Sequence, residues 1–306
     1  MKNVVVPALL SCAMALTTAA YSQTWVSNSG TDAGTCPITA PCRTFAYAVT
    51  QTPAWGQLSV LNAGDYGSVT ITQAIRIDGG GFATNVATAG NNGITVNTPA
   101  GSVVQLHNLS IHGATGGDTG IVFCGSGGLD IDNVQITGFA YGIIDADSLR
   151  IAVSNMVINN TTIENIAYTG IYIAGTAPID QVSAKIVNTH VRFSNNGLFA
   201  SYSTVSTYNS TFSSPGGAPW GPQEIGINAV GASVLLDGGQ VTGYYYGIES
   251  SNGANVQVSR MSFIANYVPL YPNAGGAAAS IVSNGNNSFF GNGSQSANFT
   301  QTVGLQ

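Results

Sequence analysis

Five charged side chains fall in three short segments of a chain that carries few charges. They are Arg76 and Asp78 in "IRID", His107 in "QLHN", and Asp130 and Asp132 in "LDIDN". Carboxylates placed together are suited to a hard cation such as Ca²⁺, and an Arg or His beside them can exchange a proton with a bound substrate. This chemistry requires a fold that brings the three segments together.

The three segments belong to a repeat. The pattern apolar-x-Asn-x-x-apolar recurs with a mean period of about 25 residues, and "LDGGQV" and "VSRMSF" are degenerate copies of it. A second marker, Gly followed by Ile or Leu, recurs with the same period, which indicates a repeat architecture. The asparagines are Asn108, Asn133, Asn160, Asn188, Asn209 and Asn287, and the glycines are Gly93, Gly120, Gly142, Gly170, Gly197, Gly226 and Gly247.

Short, alternating, β-branched segments between the markers predict strands. The sequence therefore predicts an all-β fold, a parallel β-solenoid of about nine to ten coils, in which each coil stacks about 4.8 Å from the previous one. The asparagines suit left-handed corners and can form a hydrogen-bonded ladder. An apolar column is expected to face the core, at Ile111, Ile136, Ile163, Val191, Phe212, Val241, Phe263 and Phe290.

Alignment through the repeat places the charged residues on three successive coils. Asp78, His107 and Asp132 form one outward column. Arg76, Gln105 and Asp130 form the neighbouring one. Two interpretations stay open: a substrate or Ca²⁺ site, or the solvated side of a strand on which Arg76 and His107 offset like charges between coils.

The first 22 residues have the apolar run and small-residue end of a cleaved signal peptide, which predicts secretion. Cys36 and Cys42 are then expected to form a disulfide, and Cys124 is the odd thiol. The formal net charge is −6, so the chain lacks the basic surface that binds nucleic acids. The same negative charge disfavours binding to anionic membranes. No later segment is apolar enough to span a membrane.

The segment "TWVSNSGTDAGTCPITAPCRTFAYAV", residues 24–49, resembles the opening of secreted bacterial right-handed parallel β-helix proteins of the pectin-lyase-like superfamily. The coils over residues 56–295 resemble that family as well. The resemblance implies a right-handed solenoid whose open N-terminal end is plugged by a short helix near "PCRTFAYAV". Thr44 would cap this helix, and Phe45 and Val49 would face the core.

The resemblance also implies candidate chemistry. Lyases of this family that act on acidic polysaccharides hold Ca²⁺ with carboxylates and remove a proton with a basic side chain. Carried over, this assigns the metal to Asp78, Asp130 and Asp132 and the catalytic roles to Arg76 and His107. The polygalacturonase motifs of the family are incomplete here, and the acid pair Asp145 and Asp147 has the spacing for glycoside cleavage or for a turn.

Aromatic residues offer a second candidate site. Tyr172 and Phe199 occupy the outward position after two successive Gly-Ile or Gly-Leu markers, and Tyr245 lies in "GYYYG". Exposed aromatic rings in a row suit stacking on sugar rings. Packing beneath a surface loop is the alternative.

Together these patterns predict a signal peptide over 1–22, a first strand with disulfide loop and capping helix over 23–55, a β-helix over 56–295 and a loosely ordered tail over 296–306. The predicted function is to bind or process an extracellular polysaccharide, expected to be acidic, or a cell-surface glycan. The alternatives are a Ca²⁺-dependent polysaccharide lyase and a non-enzymatic structural or adhesin-like surface protein.

Overall fold

A computed structural model describes residues 22–82, 84–85, 90–146, 154–175, 182–214, 224–272, 276–293 and 299–303. The elements of its N-terminal half are β1 (Gln23–Val26), α1 (Phe45–Gln51), β2 (Gly56–Val60), β3 (Gly64–Asp65), β4 (Val69–Ile71), β5 (Ile75–Asp78), β6 (Thr84–Asn85), β7 (Ile94–Val96), β8 (Ser102–His107), β9 (Ser110–Phe123), β10 (Gly127–Asp132) and β11 (Gln135–Ala146). Those of its C-terminal half are β12 (Ser154–Asn159), β13 (Thr162–Ala174), β14 (Val182–Val187), β15 (His190–Ser201), β16 (Thr204–Ser213), β17 (Ile225–Val230), β18 (Ser233–Thr242), β19 (Tyr246–Ser251), β20 (Asn255–Ile264), β21 (Val268–Pro272), β22 (Ser280–Ser283), β23 (Ser288–Phe290) and β24 (Gln301–Thr302).

The strands stack in parallel into three faces of a β-solenoid. Face 1 consists of β1, β2, β5, β8, β10, β12, β14, the first halves of β16, β18 and β20, and then β22 and β24. Face 2 is the short strand that follows the next corner, in β9, β11, β13, β15, β16, β18, β20 and β23. Face 3 closes the coil, in β4, β7, β9, β11, β13, β15, β17, β19 and β21.

The all-β parallel solenoid predicted from the repeat is therefore confirmed, and its coil count differs slightly. Within the described residues seven coils carry strands on all three faces, and they start at β8, β10, β12, β14, β16, β18 and β20. The prediction of nine to ten counted the ends as well. There the coils are incomplete, because the residues after β5 and after β22 do not form all three strands.

The N-terminal end of the solenoid is covered by α1. The hydroxyl of Thr44 accepts a hydrogen bond from the Tyr47 amide, and Phe45, Ala48 and Val49 are buried, as the sequence predicts. Asp32 accepts hydrogen bonds from the Thr44 amide and hydroxyl. The helix thus shields apolar core atoms that an uncapped stack would expose to water.

The loop before α1 is closed by the predicted disulfide. Cys36 and Cys42 are bonded, with their Cα atoms 5.0 Å apart, and both are fully buried. The main chain also pairs here, because Trp25 donates to the carbonyl of Cys36 and Cys42 donates to the carbonyl of Trp25. The disulfide loop is therefore part of the cap at this end.

The predicted inward column is confirmed from Ile111 to Phe263, each residue pairing with its equivalent in the next coil. Its last member is wrong. Phe263 pairs with Phe289, and Phe290 is 76% exposed. The corner before this strand is Asn286, with φ +56°, one residue earlier than the Asn287 of the alignment, and a shift of one residue exchanges the two sides of a strand.

The repeat markers have separate physical roles. Asn108 and Asn133 adopt φ near +54°, and the Asn133 side-chain amide donates to the Asn108 side-chain oxygen at 2.8 Å, so the Asn marker forms both the corner and the ladder. The Gly marker is required by the close packing of one coil on the next. At Gly142 a Cβ would lie 2.4 Å from the carbonyl oxygen of Gly170, far inside contact distance.

The other predictions concern the two ends of the chain, Asp147 and membrane-spanning segments. Residues 1–21 of the signal segment and Asp147 lie outside the described residues. In the tail, expected to be loosely ordered, β24 pairs with β22. Among the described residues no helix has the length and apolarity to cross a bilayer.

Candidate functional site

Arg76, Asp78, His107, Asp130 and Asp132 lie together on the outside of face 1, and we name them the charged patch. The strands β5, β8 and β10 pair so that Asp78 and Asp132 flank His107, while Arg76 and Asp130 flank Gln105. These are the two columns that the sequence predicts. The patch forms because side chains alternate along each strand, so that residues two apart share the outer side.

Asp78 is the most strongly held member of the charged patch. Arg76 Nη2 lies 3.1 Å from its Oδ2, and its Oδ1 accepts hydrogen bonds from the Gly80 amide and from Asn108 Nδ2. Burial acts to raise the pKa of Asp78, but the hydrogen bonds from Asn108, Gly80 and Arg76 outweigh it and lower the pKa below its usual value. Asp78 is thus ionised at neutral pH and already has its partners.

Asp130, Asp132 and His107 are held more loosely. His107 Nε2 lies 3.7 Å from Asp130 Oδ2, which is longer than a hydrogen bond. His107 Nε2 and Asp130 Oδ1 are buried and make no hydrogen bond in the described part of the chain. Asp132 Oδ1 accepts from Asn160 Nδ2 at 2.8 Å. This end of the patch has unused hydrogen-bonding capacity.

The Ca²⁺ prediction rests on the carboxylates of this patch. Asp78 and Asp132 are two coils apart with His107 between them, a separation of about 10 Å along the axis. Among the described residues no three His, Cys, Asp or Glu side chains are grouped so that they could hold a metal ion, and Ca²⁺ takes six to eight oxygen ligands. The three carboxylates as placed do not surround one point.

A second cluster consists of aromatic side chains on and beside face 3, and we name it the aromatic face: Tyr172, Phe199, Tyr245, Tyr246, Tyr267 and Tyr271. Tyr172 and Phe199 pair in register, and their rings stack with centroids 4.6 Å apart and 10° between planes. Tyr246 and Tyr271 stack at 4.5 Å. Tyr245, just before β19, contacts both Tyr246 and Tyr267.

One outward column links the two parts of the aromatic face. From Tyr172 and Phe199 it continues through Asn228 and Glu249 to Tyr271. Four coil steps span about 19 Å at the strand spacing. Tyr267 and Tyr271 are 41% and 37% exposed, so this surface presents ring area to solvent.

The hydroxyls of Tyr172 and Tyr246 stay protonated at neutral pH, because the pKa of each is raised. Burial, and then the neighbouring Tyr141, raise the pKa of Tyr172 above its usual value. Burial, followed by Tyr245, Tyr271 and Glu249, raises that of Tyr246. Both side chains are neutral rings with a polar edge.

The structure brings the predicted residues together in two groups and keeps the groups apart. The charged patch occupies face 1 of the N-terminal coils, and Tyr172, Phe199 and Tyr245 lie on or beside face 3 of later coils. Tyr246 lies in the "GYYYG" stretch that the sequence analysis names, whereas Tyr267 and Tyr271 were missed by sequence reasoning. Continuing the outward column one coil beyond Glu249 leads to Tyr271, so that signal was present in the sequence.

Two other sequence candidates have structural positions. Asp145 is fully buried in the inward column of face 3, between Phe123 and Ile173, so its carboxylate is not on the surface where glycoside cleavage would require it. Cys124 is half-buried, and its thiol lies 3.6 Å from the carbonyl oxygen of Val96.

Comparison with known proteins supports the architecture. No family model matches this chain, and no curated protein matches its sequence. Among solved structures, the crystal structure of the pectate lyase Pel9A resembles it with a TM-score of 0.66 at 12% sequence identity, covering 93% of this chain and 79% of that chain. At this identity the likeness shows a shared parallel β-helix fold.

Proposed function

We propose that the protein binds an extracellular polysaccharide along the aromatic face. The observation that carries the proposal is the stacked pair Tyr172 and Phe199, in register with Tyr271 four coils from Tyr172. Sugar rings have apolar faces and polar edges, and neutral tyrosines match both. A row about 19 Å long on a rigid solenoid suits a chain of sugars better than a single small molecule.

Export and the choice of partner follow from other features. The buried disulfide is typical of oxidising compartments, which supports an extracellular location. The net charge of −6 opposes nucleic acids and also repels an acidic polysaccharide. We therefore expect a neutral polymer to bind more tightly than an acidic one.

Affinity electrophoresis tests the proposal. The mature protein, starting at residue 23, is run through gels that contain neutral polymers (xylan, mannan, galactan) or acidic ones (polygalacturonate, alginate), each with Ca²⁺ and with chelator. We expect retardation by at least one polymer. Unchanged mobility in every gel would overturn the proposal and favour the structural or adhesin-like alternative.

A Ca²⁺-dependent polysaccharide lyase is the second candidate. The observation in its favour is the register of Arg76, His107 and the three carboxylates on face 1, in a fold that a pectate lyase shares. Elimination produces an unsaturated sugar that absorbs ultraviolet light. A Ca²⁺-dependent rise in absorbance on polygalacturonate or alginate, absent from Asp130→Asn/Asp132→Asn, would establish the lyase. No rise with any polymer would exclude it.

A further inference from the structure

A pocket on face 1 of the first coils has an apolar wall and a polar wall. Its volume is about 490 Å³, and Trp55 and Val103 form the apolar side while Gln57, Arg76 and Gln105 form the polar side. The three polar residues pair in register on β2, β5 and β8. They are therefore consecutive members of one outward column, each about 4.8 Å from the next.

Trp55 has an unusual backbone for a bulky residue. Its φ is +66°, in the left-handed region that costs an L-residue free energy. Among the described residues, Asn occupies eight of the fourteen non-glycine positions with positive φ, because Asn tolerates this conformation. The Trp55 side chain is 56% exposed, so core packing does not account for an indole at this position.

The polar wall has hydrogen-bonding groups in fixed positions. Gln57 Nε2 donates to Ser59 Oγ at 2.9 Å, which orients its amide. Arg76 Nη2 is held by Asp78, but Arg76 Nε is buried without a hydrogen-bond partner in the described part of the chain. The Arg76 side chain is nevertheless 39% exposed, and the accessible N–H groups of its guanidinium can donate to a ligand oxygen.

The charges around the pocket decide which ligand it accepts. Among the described residues that line the pocket, Arg76 is the only charged one, and Asp78, 3.1 Å from it, compensates its charge. The next residue of the column after Gln105 is Asp130. A ligand carboxylate would meet a neutralised guanidinium and two nearby anions, whereas hydroxyl groups can both donate to and accept from amide side chains.

We propose that this pocket binds one uncharged sugar ring, with the indole of Trp55 against the face of the ring and the side chains of Gln57, Arg76 and Gln105 at its hydroxyls. This goes beyond the proposed function, because the pocket lies on face 1 and the aromatic face does not contribute to it. The two proposals can therefore fail separately.

Tryptophan fluorescence tests the pocket directly. The mature protein is titrated with the neutral trisaccharides cellotriose, mannotriose and galactotriose, and with trigalacturonate as the charged probe. We expect a saturable fluorescence change with at least one neutral trisaccharide and affinity at least tenfold weaker for trigalacturonate. No saturable change with the three neutral sugars, or tighter binding of trigalacturonate, would overturn the proposal.

Trp55→Asn is the decisive variant, and Trp25→Phe is its matched control because Trp25 does not line the pocket. Calorimetry should show at least a tenfold loss of neutral trisaccharide affinity in Trp55→Asn and none in Trp25→Phe. Because Asn suits the left-handed backbone, the melting temperature of Trp55→Asn should equal or exceed that of the wild type. Retained neutral-trisaccharide affinity in Trp55→Asn would overturn the proposal, and a lowered melting temperature together with retained affinity would show that Trp55 is structural.

Discussion

The charged patch and the aromatic face are built by the same stacking of coils, yet they differ in what they leave for a ligand. In the charged patch Asp78 is engaged by Arg76, Gly80 and Asn108. On the aromatic face Tyr172 stacks on Phe199, and rings at the far end remain exposed. Charge on a solenoid can therefore stabilise the stack of coils itself, while rings stacked along the axis offer a repeated surface to a repeated ligand.

We therefore expect substitutions in the two regions to have different effects on binding and on stability. Substitutions on the aromatic face should weaken binding and spare stability, since the rings lie on the outer side of the strands. Substitutions in the charged patch around Asp78 should lower stability and spare binding.

The largest effect is expected from Tyr172→Ala/Phe199→Ala. Loss of about 1 kcal/mol of stacking for each ring would lower polysaccharide affinity about 30-fold, measured by affinity electrophoresis. Asp130→Asn/Asp132→Asn is the control, and its affinity for a neutral polymer should stay within about twofold of wild type. Equal losses of polysaccharide affinity in the two variants would show that the two regions do not differ in ligand binding.

Asp78→Asn comes next and acts on stability. Replacing a carboxylate that accepts hydrogen bonds from Arg76, Gly80 and Asn108 should lower the free energy of unfolding by about 1–2 kcal/mol at pH 7, measured by urea denaturation. Binding of a neutral polymer should not change. A stability equal to that of the wild type would show that the network around Asp78 contributes nothing.

The same carboxylate gives a pH dependence with a defined sign. Since the pKa of Asp78 is lowered on folding, its contribution is complete above the unfolded value of about 3.9 and is lost as the pH falls through the lower folded pKa. The difference in stability between wild type and Asp78→Asn should therefore shrink as the pH falls below about 4. A difference that is constant from pH 7 to pH 2 would contradict the assignment.

The corner ladder should give a smaller effect. Asn133→Ala loses the hydrogen bond to Asn108 and puts a Cβ-bearing residue without a polar side chain at φ +54°, a cost of about 1 kcal/mol. Asn133→Gly loses the same hydrogen bond but accepts the backbone angle. Urea denaturation should rank wild type first and Asn133→Gly above Asn133→Ala. The reverse order of the two variants would contradict a cost of the left-handed backbone angle at this corner.

Tyr245→Ala is expected to have the smallest effect, about a threefold loss of polysaccharide affinity. Its ring contacts Tyr246 and Tyr267 at the edge of the aromatic face, so it supports neighbouring rings more than it extends the row. Tyr208→Ala, a substitution on face 1, is the matched control. A loss of affinity for Tyr245→Ala as large as that for Tyr172→Ala/Phe199→Ala would show that the polysaccharide binds mainly at Tyr245, Tyr246 and Tyr267.

Much of the fold was readable from the sequence, because an Asn corner followed three residues later by an apolar residue fixes the register of each coil. That rule places Ile136 on Ile111 and His107 between Asp78 and Asp132. It failed at Phe290, where "GNNSFF" offers two asparagines and the corner is the first of them. Local sequence does not decide between two adjacent residues that both tolerate the left-handed region.

The candidate sites were harder to predict from the sequence than the fold. Tyr172 and Phe199 follow from the Gly marker, but the stack of Tyr246 on Tyr271 and the pocket beside Trp55 depend on rings and walls contributed by different coils. Nothing in "PAWGQ" indicates that Trp55 has positive φ. Such features arise from the packing of one coil on another and not from the repeat pattern.

Hydroxyl-radical footprinting of the wild-type protein, with and without a saturating polysaccharide, tests most directly whether the aromatic face is the binding surface. We expect the polymer to lower the oxidation of Tyr172, Phe199 and Tyr271 and to leave the oxidation of His107 unchanged. Protection of His107 with no change at the three aromatic residues would contradict this expectation and place the polysaccharide on the charged patch.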